Sequence, residues 1–351
     1  MSDAASSVMN AQQSDEGKVI DVAHLSVDIA VPAGTLHAVN DISFSVEPGK
    51  TLCLVGESGC GKTITSLALM RLLPRSAKLS AMHVKFDGVD LAKLSEKEMA
   101  SLRGNRMGMI FQDPMTSLNP VYRIGDQLEE VYLRHRGGAR QAARDRAHFL
   151  LEKVGIINPG QRLTQYPHQL SGGLRQRMMI AMMLMCEPRL LIADEPTTAL
   201  DVTVQVQILN LLRDLQREFN TAMILITHNL GVVARMADHV AVMYAGRIVE
   251  QGTAEQIFGQ PAHPYTRGLL ECIPRHGQSA KLAKLGSIPG IVPSLVGHSQ
   301  GCSFRNRCAH AHDACRSGEI GMQTAVSGQN YRCLLTPQDV SGDRILARSP
   351  A

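Results

Sequence analysis

An apolar run, Leu52-Cys53-Leu54-Val55, leads directly into Gly56-Glu57-Ser58-Gly59-Cys60-Gly61-Lys62-Thr63. The octet fits G-x-x-x-x-G-K-[ST] and dictates a strand, a tight loop and a helix in that order. Its glycines let backbone N–H groups wrap a phosphate, which then rests on the N-terminus of the helix expected over residues 63–73. In that arrangement Lys62 meets the β- and γ-phosphates of a nucleotide and Thr63 offers its hydroxyl to Mg2+. Cys60 fills a variable position of the loop and reads as a replacement for serine, not as a redox switch.

A second apolar strand, Leu190-Leu191-Ile192-Ala193, ends in two carboxylates, Asp194 and Glu195. Beside a bound triphosphate, hydrolysis requires one carboxylate on the metal and one to activate water, which assigns Asp194 to Mg2+ and Glu195 to the base. Shortly before it the chain reads Leu170-Ser171-Gly172-Gly173-Leu174-Arg175-Gln176, a turn in front of a long apolar helix. There a hydroxyl and the N–H groups of a helix start converge on one point, which suits a second grip on an anion.

The rest of the pattern is α/β. Residues 19–55 alternate apolar and polar, broken at Pro32-Ala33-Gly34 and Pro48-Gly49, which predicts antiparallel strands. Further strands are expected at residues 107–111, 190–193, 222–227 and 240–244. Between Gln112 and Leu170 helical spacing replaces strand-like runs, so a helical subdomain, about residues 113–188, is inserted into the core. Beyond Pro261 periodicity fades into Pro, Gly, His and Cys, predicting an irregular extension over residues 261–351 after a domain over residues 19–260. Residues 1–18 read as a disordered tail without the apolar core of a signal peptide, which points to the cytosol. A hydrophobic content of 44% suffices for a buried core, and a net charge of +4 gives no case for a nucleic-acid partner. No apolar run approaches the roughly 20 residues of a membrane-spanning helix.

The ordered trio of glycine loop, Ser-Gly-Gly turn and acidic strand end resembles the ABC transporter ATPase family over about residues 19–260. The resemblance extends to Gln112 as the Q-loop residue, Ala199-Leu200-Asp201 as the D-loop and His228 as the switch histidine. It implies a P-loop core with an antiparallel β subdomain, and two cassettes paired head to tail. Each ATP would then lie between residues 56–63 of one cassette and Ser171, Gly172 and Gly173 of the other, with Asp201 nearby. Glu195, His228 and Gln112 would serve catalysis, and Thr63, Gln112 and Asp194 would hold Mg2+. Two positions depart from the family pattern: Asn229 follows the histidine where Asp is usual, and residues 28–35 hold no aromatic ring to stack on adenine.

Within that family the chain is most similar to dipeptide and oligopeptide importer ATPases. The stretch Phe111-Gln112-Asp113-Pro114-Met115-Thr116-Ser117-Leu118-Asn119-Pro120 carries the resemblance, as do Tyr166-Pro167-His168-Gln169-Leu170 and His263-Pro264-Tyr265-Thr266. Two integral-membrane permeases, a second ATPase in a heterodimer and an external solute-binding protein are implied, with the chain peripheral on the cytoplasmic face of the inner membrane. Importers of nickel and glutathione share the pattern. A soluble ABC ATPase acting on the ribosome or DNA is the rival from another class, but such chains usually carry two cassettes or a long coiled-coil insertion. The His-Pro-Tyr extension speaks against an exporter.

Of eight cysteines, Cys53, Cys60, Cys186 and Cys272 read as small packed residues. The others form Cys302-x5-Cys308-x6-Cys315-x17-Cys333, enough thiolates for an iron–sulfur cluster or zinc. The resemblance favours [4Fe–4S], tying down an extension too polar to bury a core of its own. His310 and His312, between the cysteines, read as solvated. The methionines at 178, 179, 182, 183 and 185 read as helical core.

Overall fold

The computed structural model describes residues 17–112, 117–198, 200–273, 288–297 and 300–341. Most of the expected N-terminal tail, Asp113 to Thr116 of the Q-loop stretch and Ala199 of the D-loop lie outside the described residues. The chain divides into two compact units, one holding residues up to 22, 44–50 and 83–225, the other residues 23–43, 51–82 and 226 onward.

In the first unit Met107–Ile110 and Leu190–Asp194 run parallel, with Met107 opposite Leu190 and Ile110 opposite Ala193. Every residue of both strands is buried, as strands covered on both faces require. Ala222–Thr227, also buried throughout, lies beside Leu190–Asp194 and leads the chain into the second unit. Between the first two strands come the helices Ile124–Arg136, Arg140–Lys153, Pro159–Leu163 and Gly172–Met183. Arg140 pins two of them together: it donates to Asp126 at 2.9 Å and to the nearly buried Glu129. Met178, Met179 and Met182 sit in the core, as their spacing predicts.

The second unit is built around Thr51–Val55 and His239–Tyr244, parallel, with His239 opposite Leu52 and Val242 opposite Val55. Arg247–Thr253 continues antiparallel, with a bulge between Val242 and Met243. The long strands Ile20–Val31 and Gly34–Val46 form a hairpin whose residues 23–43 belong to this unit. Ala77–Ser80 adds to it, Ser80 lying opposite Ser26.

The described residues of the C-terminal extension are largely irregular, yet two short strands prolong the sheet: Tyr331 pairs with Glu250, and Gln323–Thr324 pairs with Asn330–Tyr331. Its anchorage is polar and aromatic. Glu250 is fully buried and accepts from the Ala262 N–H at 2.7 Å, the His263 N–H at 2.9 Å and the Gln329 side chain at 3.3 Å. The rings of Tyr244, Tyr265 and Phe304 meet with centroids 4.6 to 5.3 Å apart. Such contacts add attraction beyond area burial. His263 caps the helix Pro264–Glu271 by accepting from the Tyr265 N–H at 3.1 Å.

Burial holds the His263 imidazole far below its ordinary 6.5, down to about 3. Between those values the unfolded chain binds the extra proton, so this residue's contribution to stability is present above pH 6.5 and is lost as pH falls. His263→Asn keeps a capping acceptor without the titration. Denaturation midpoints measured from pH 7.5 to 5 should show wild type losing ground to the variant by up to about 1.4 kcal/mol per unit below pH 6.5. Glu250, which burial raises to about 7, titrates in both proteins and cancels from the difference. Parallel pH curves would refute the assignment.

Candidate nucleotide-binding site

Two close approaches of backbone shape the glycine loop. A Cβ on Gly56 would lie 2.1 Å from the Met243 carbonyl oxygen, and one on Gly61 would lie 2.3 Å from that of Ala38. Both glycines also hold positive φ, +154° and +106°, so no other residue fits either place. Gly61 is the N-cap of the helix Lys62–Leu69, whose first turn faces the loop. The Lys62 ammonium, nearly buried, donates to the Gly56 and Glu57 carbonyls at 2.9 Å each. Thr63 is exposed at the same helix start, and Ser58 and Gly59 are exposed on the loop. A cradle bordered by N–H groups, an ammonium and a hydroxyl fits a polyphosphate with its Mg2+. Cys60 is fully buried and its thiol is raised by that burial, in keeping with a packed residue. His228 lies exposed just past Thr227 in this unit.

The first unit holds the acidic strand end. Asp194 is 2% exposed at the last position of its strand. Glu195 follows at φ +45°, a left-handed conformation costing a non-glycine residue roughly 1–3 kcal/mol. Its Oε2 accepts from the Gln112 Nε2 at 3.2 Å and the Thr198 hydroxyl at 2.9 Å. The structure thus joins Gln112 to Glu195, and it adds Thr198, which sequence reasoning missed although it lies only three residues on.

Ser171 caps the helix Gly172–Met183, its hydroxyl accepting from the Leu174 N–H at 3.4 Å, and stays exposed. A Cβ on Gly173 would come within 3.1 Å of Val204, so small residues keep this helix start close to the next helix. Asp201 caps that helix, Val202–Phe219, by accepting from the Val204 N–H at 3.0 Å. Asn229 does the same for Leu230–Met236, its side chain accepting from Gly231 at 2.9 Å and Val232 at 3.4 Å. Asn and Asp cap equally well, so the departure at 229 leaves this helix start satisfied. On the same unit as Gln112, a recess of about 350 Å³ is lined by Met109, Phe111, Ser117, Met179, Met182 and Met183.

A glycine loop that fits a polyphosphate on one unit and a strand ending in paired carboxylates on the other are features of a class, the ATP-hydrolysing cassette. Residues 39–198 match the ABC transporter family, and residues 249–315 match the oligopeptide/dipeptide transporter C-terminal region. The dipeptide transport ATP-binding protein DppD of Bacillus subtilis is 49% identical over 92% of this chain and 96% of its own length. DppD of Escherichia coli is 47% identical over 90% and 96%. The oligopeptide transport ATP-binding protein OppD of Salmonella typhimurium is 49% identical over 85% and 88%. Among solved structures, cbiO1 of Clostridium perfringens, part of the ABC transporter complex cbiONQ, is 27% identical with a TM-score of 0.60, over 70% of this chain and 92% of its own. The dimeric cassette MJ0796 bound to ADP and Pi, 23% identical with a TM-score of 0.60 over 67% of this chain and 98% of its own, shares the fold. The chain belongs to the ABC transporter ATPase family, in the group that carries the oligopeptide/dipeptide C-terminal region.

The four-cysteine expectation needs correction. Among the described residues no group of three or more His, Cys, Asp or Glu side chains is arranged to hold a metal ion, so neither [4Fe–4S] nor zinc is supported at Cys302, Cys308, Cys315 and Cys333. The matched relatives are named as dipeptide transport ATP-binding proteins, with no metal centre in the name. Burial pushes Cys308 and Cys333 up to about 11 and raises Cys302, so as the free thiols seen here they are protonated at neutral pH. The sulfurs serve the loop instead: Cys308 accepts from the His310 N–H at 3.4 Å and Cys333 from the Leu335 N–H at 3.5 Å.

Glu195→Gln retains an oxygen to accept from Gln112 and Thr198, so the fold should hold while ATP turnover drops about 100-fold or more and ATP binding persists. Lys62→Ala should instead weaken ATP binding itself, about tenfold or more. Steady-state hydrolysis beside equilibrium nucleotide binding separates the two; near-normal turnover in the glutamine variant would remove Glu195 from the base role.

Proposed function

We propose that the chain is the ATP-hydrolysing, energy-coupling subunit of an importer for dipeptides or oligopeptides. One observation carries this reading. The oligopeptide/dipeptide transporter C-terminal region follows a full set of cassette motifs, in a chain 47% to 49% identical to named peptide transport ATP-binding proteins.

The backbone of residues 56–63 and Lys62 bind the phosphates, and Glu195 takes the proton from attacking water. Thr63, Asp194 and Gln112 would hold Mg2+, which when bound offsets the charge on the phosphates. His228 contacts the γ-phosphate. Ser171, Gly172 and Gly173 grip the nucleotide of a second cassette, a similar but distinct ATPase subunit, with Asp201 beside them. ATP binding closes the cassette pair and hydrolysis reopens it, moving two membrane permeases between access states. The methionine-lined recess beside the Q-loop suits a permease helix, because methionine adapts to an apolar partner surface. Among the described residues no helix is long and apolar enough to cross a membrane, which supports a peripheral subunit, here assigned to the cytoplasmic face of the inner membrane. An external binding protein delivers the solute.

A tagged pull-down from detergent-solubilised native membranes should recover two polytopic permeases and a second ATPase. Cells carrying Glu195→Gln should fail to grow on a dipeptide as the source of a required amino acid. Recovery of ribosomal or DNA-repair proteins alone, or undiminished growth on the dipeptide, would remove the transport reading.

A further inference from the structure

Glu57 occupies a position where the phosphate-loop motif accepts any residue, and it places a carboxylate in a loop whose ligand is strongly anionic. Left alone, that charge opposes ATP. Its carboxylate is met by Arg307 of the C-terminal extension, whose Nη1 lies 3.0 Å from Oε1 and 2.9 Å from Oε2. The guanidinium is 5% exposed, so solvent screens the pair little from its side. Its other two nitrogens donate as well: Nε reaches the Pro289 carbonyl at 2.9 Å and Nη2 the Ile288 carbonyl at 3.1 Å. The rings of Tyr244 and Phe304 lie 5.8 and 6.0 Å from it. A planar five-donor fork held on this many partners cannot be replaced by an ammonium.

The extension reaches the loop a second time. The Glu57 N–H donates to the Tyr265 hydroxyl at 3.0 Å, and the Glu57 carbonyl accepts from Lys62. One residue therefore connects the extension to the phosphate-binding lysine. The hairpin beside Gly61 is held in the same way, with the His37 N–H on the Leu295 carbonyl at 2.9 Å and the Gly297 N–H on the Thr35 carbonyl at 3.0 Å.

We infer that Arg307 is a positioning residue for ATP binding: by neutralising Glu57 and drawing its carboxylate toward the extension, it makes nucleotide affinity depend on a docked C-terminal region. The inference rests on the ATPase reading of the loop and goes beyond it, because it ties the peptide-importer extension to the nucleotide step.

The test is ATP affinity and turnover of the full chain for wild type, Arg307→Met, Glu57→Gln and the double variant, with thermal melting alongside. Arg307→Met should raise the ATP Kd and KM about tenfold with kcat within twofold. Glu57→Gln alone should leave the affinity equal to or tighter than wild type. The double variant, which lacks both charges, should return to within about threefold of wild type, a rescue that loss of packing alone would not give. Unchanged affinity in Arg307→Met, or a double variant as weak as it, would overturn the inference. Should Arg307→Met fail to fold, Glu57→Gln still decides, since weakened binding there would mean that the carboxylate assists ATP. Failure of wild type to bind ATP, or indifference to Lys62→Ala, would instead strike the assignment of the loop.

Discussion

Two backbone carbonyls constrain everything around the phosphate loop. Met243 and Ala38 approach Gly56 and Gly61 so closely that a single carbon atom would collide with either. One carbonyl comes from the strand beside Thr51–Val55, at a bulge that redirects the chain between Val242 and Met243, and the other from the hairpin. Held between them, the loop has one path, and the helix start behind it has one direction. A site for phosphate depends on such fixed dipoles, because donors that must reorganise on binding lose part of what they gain. The motif's glycines are therefore steric requirements of the sheet as much as contacts for a ligand.

The extension is held to this framework by side chains that proteins bury sparingly. A buried carboxyl group needs donors around it, and Glu250 has two backbone N–H groups and an amide. The chain has 7 Phe, 6 Tyr and no Trp, yet it gathers Tyr244, Tyr265 and Phe304 at one point. Concentrating scarce aromatic surface there gives an otherwise irregular segment a defined seat. The anchorage first expected from a metal centre is supplied by this combination. Thiol spacing was a poor guide because it says nothing of how the side chains are arranged in space, and among the described residues they form no ligating group.

What could be read from the residues was what lies close along the chain. The glycine loop, the acidic strand end and the Ser-Gly-Gly helix start are each defined within eight residues, and strand burial at Thr51–Val55 and Leu190–Asp194 follows from unbroken apolar runs. Helical spacing marked the region that holds Ile124–Arg136 and Arg140–Lys153. Gln112 is marked by resemblance and Glu195 by its strand end, but their hydrogen bond across 83 residues had no local signal, and neither had the pairing of Glu57 with Arg307 across 250. Arg307 stands beside Cys308, inside the cysteine pattern, and carries no signal of its own in the sequence. Asn229, a departure when read as a catalytic neighbour, becomes ordinary once its side chain is seen capping a helix.

The arrangement at Glu195 shows why a strained backbone belongs in such a site. A left-handed φ turns the residue sharply away from the strand that buries Asp194, so consecutive carboxylates face different surroundings: one buried at the strand end, the other half exposed. An extended backbone would also point successive side chains to opposite faces, but it would continue the strand and carry Glu195 into the packed layer. Leaving the strand at that residue keeps the carboxylate within reach of solvent, while Gln112 and Thr198 fix its direction through one oxygen. The conformational cost is borne by a sheet whose neighbouring strands are buried along their whole length. In the base role proposed for Glu195, a carboxylate already held in place would need little reorganisation in the transition state, which is where such strain would act.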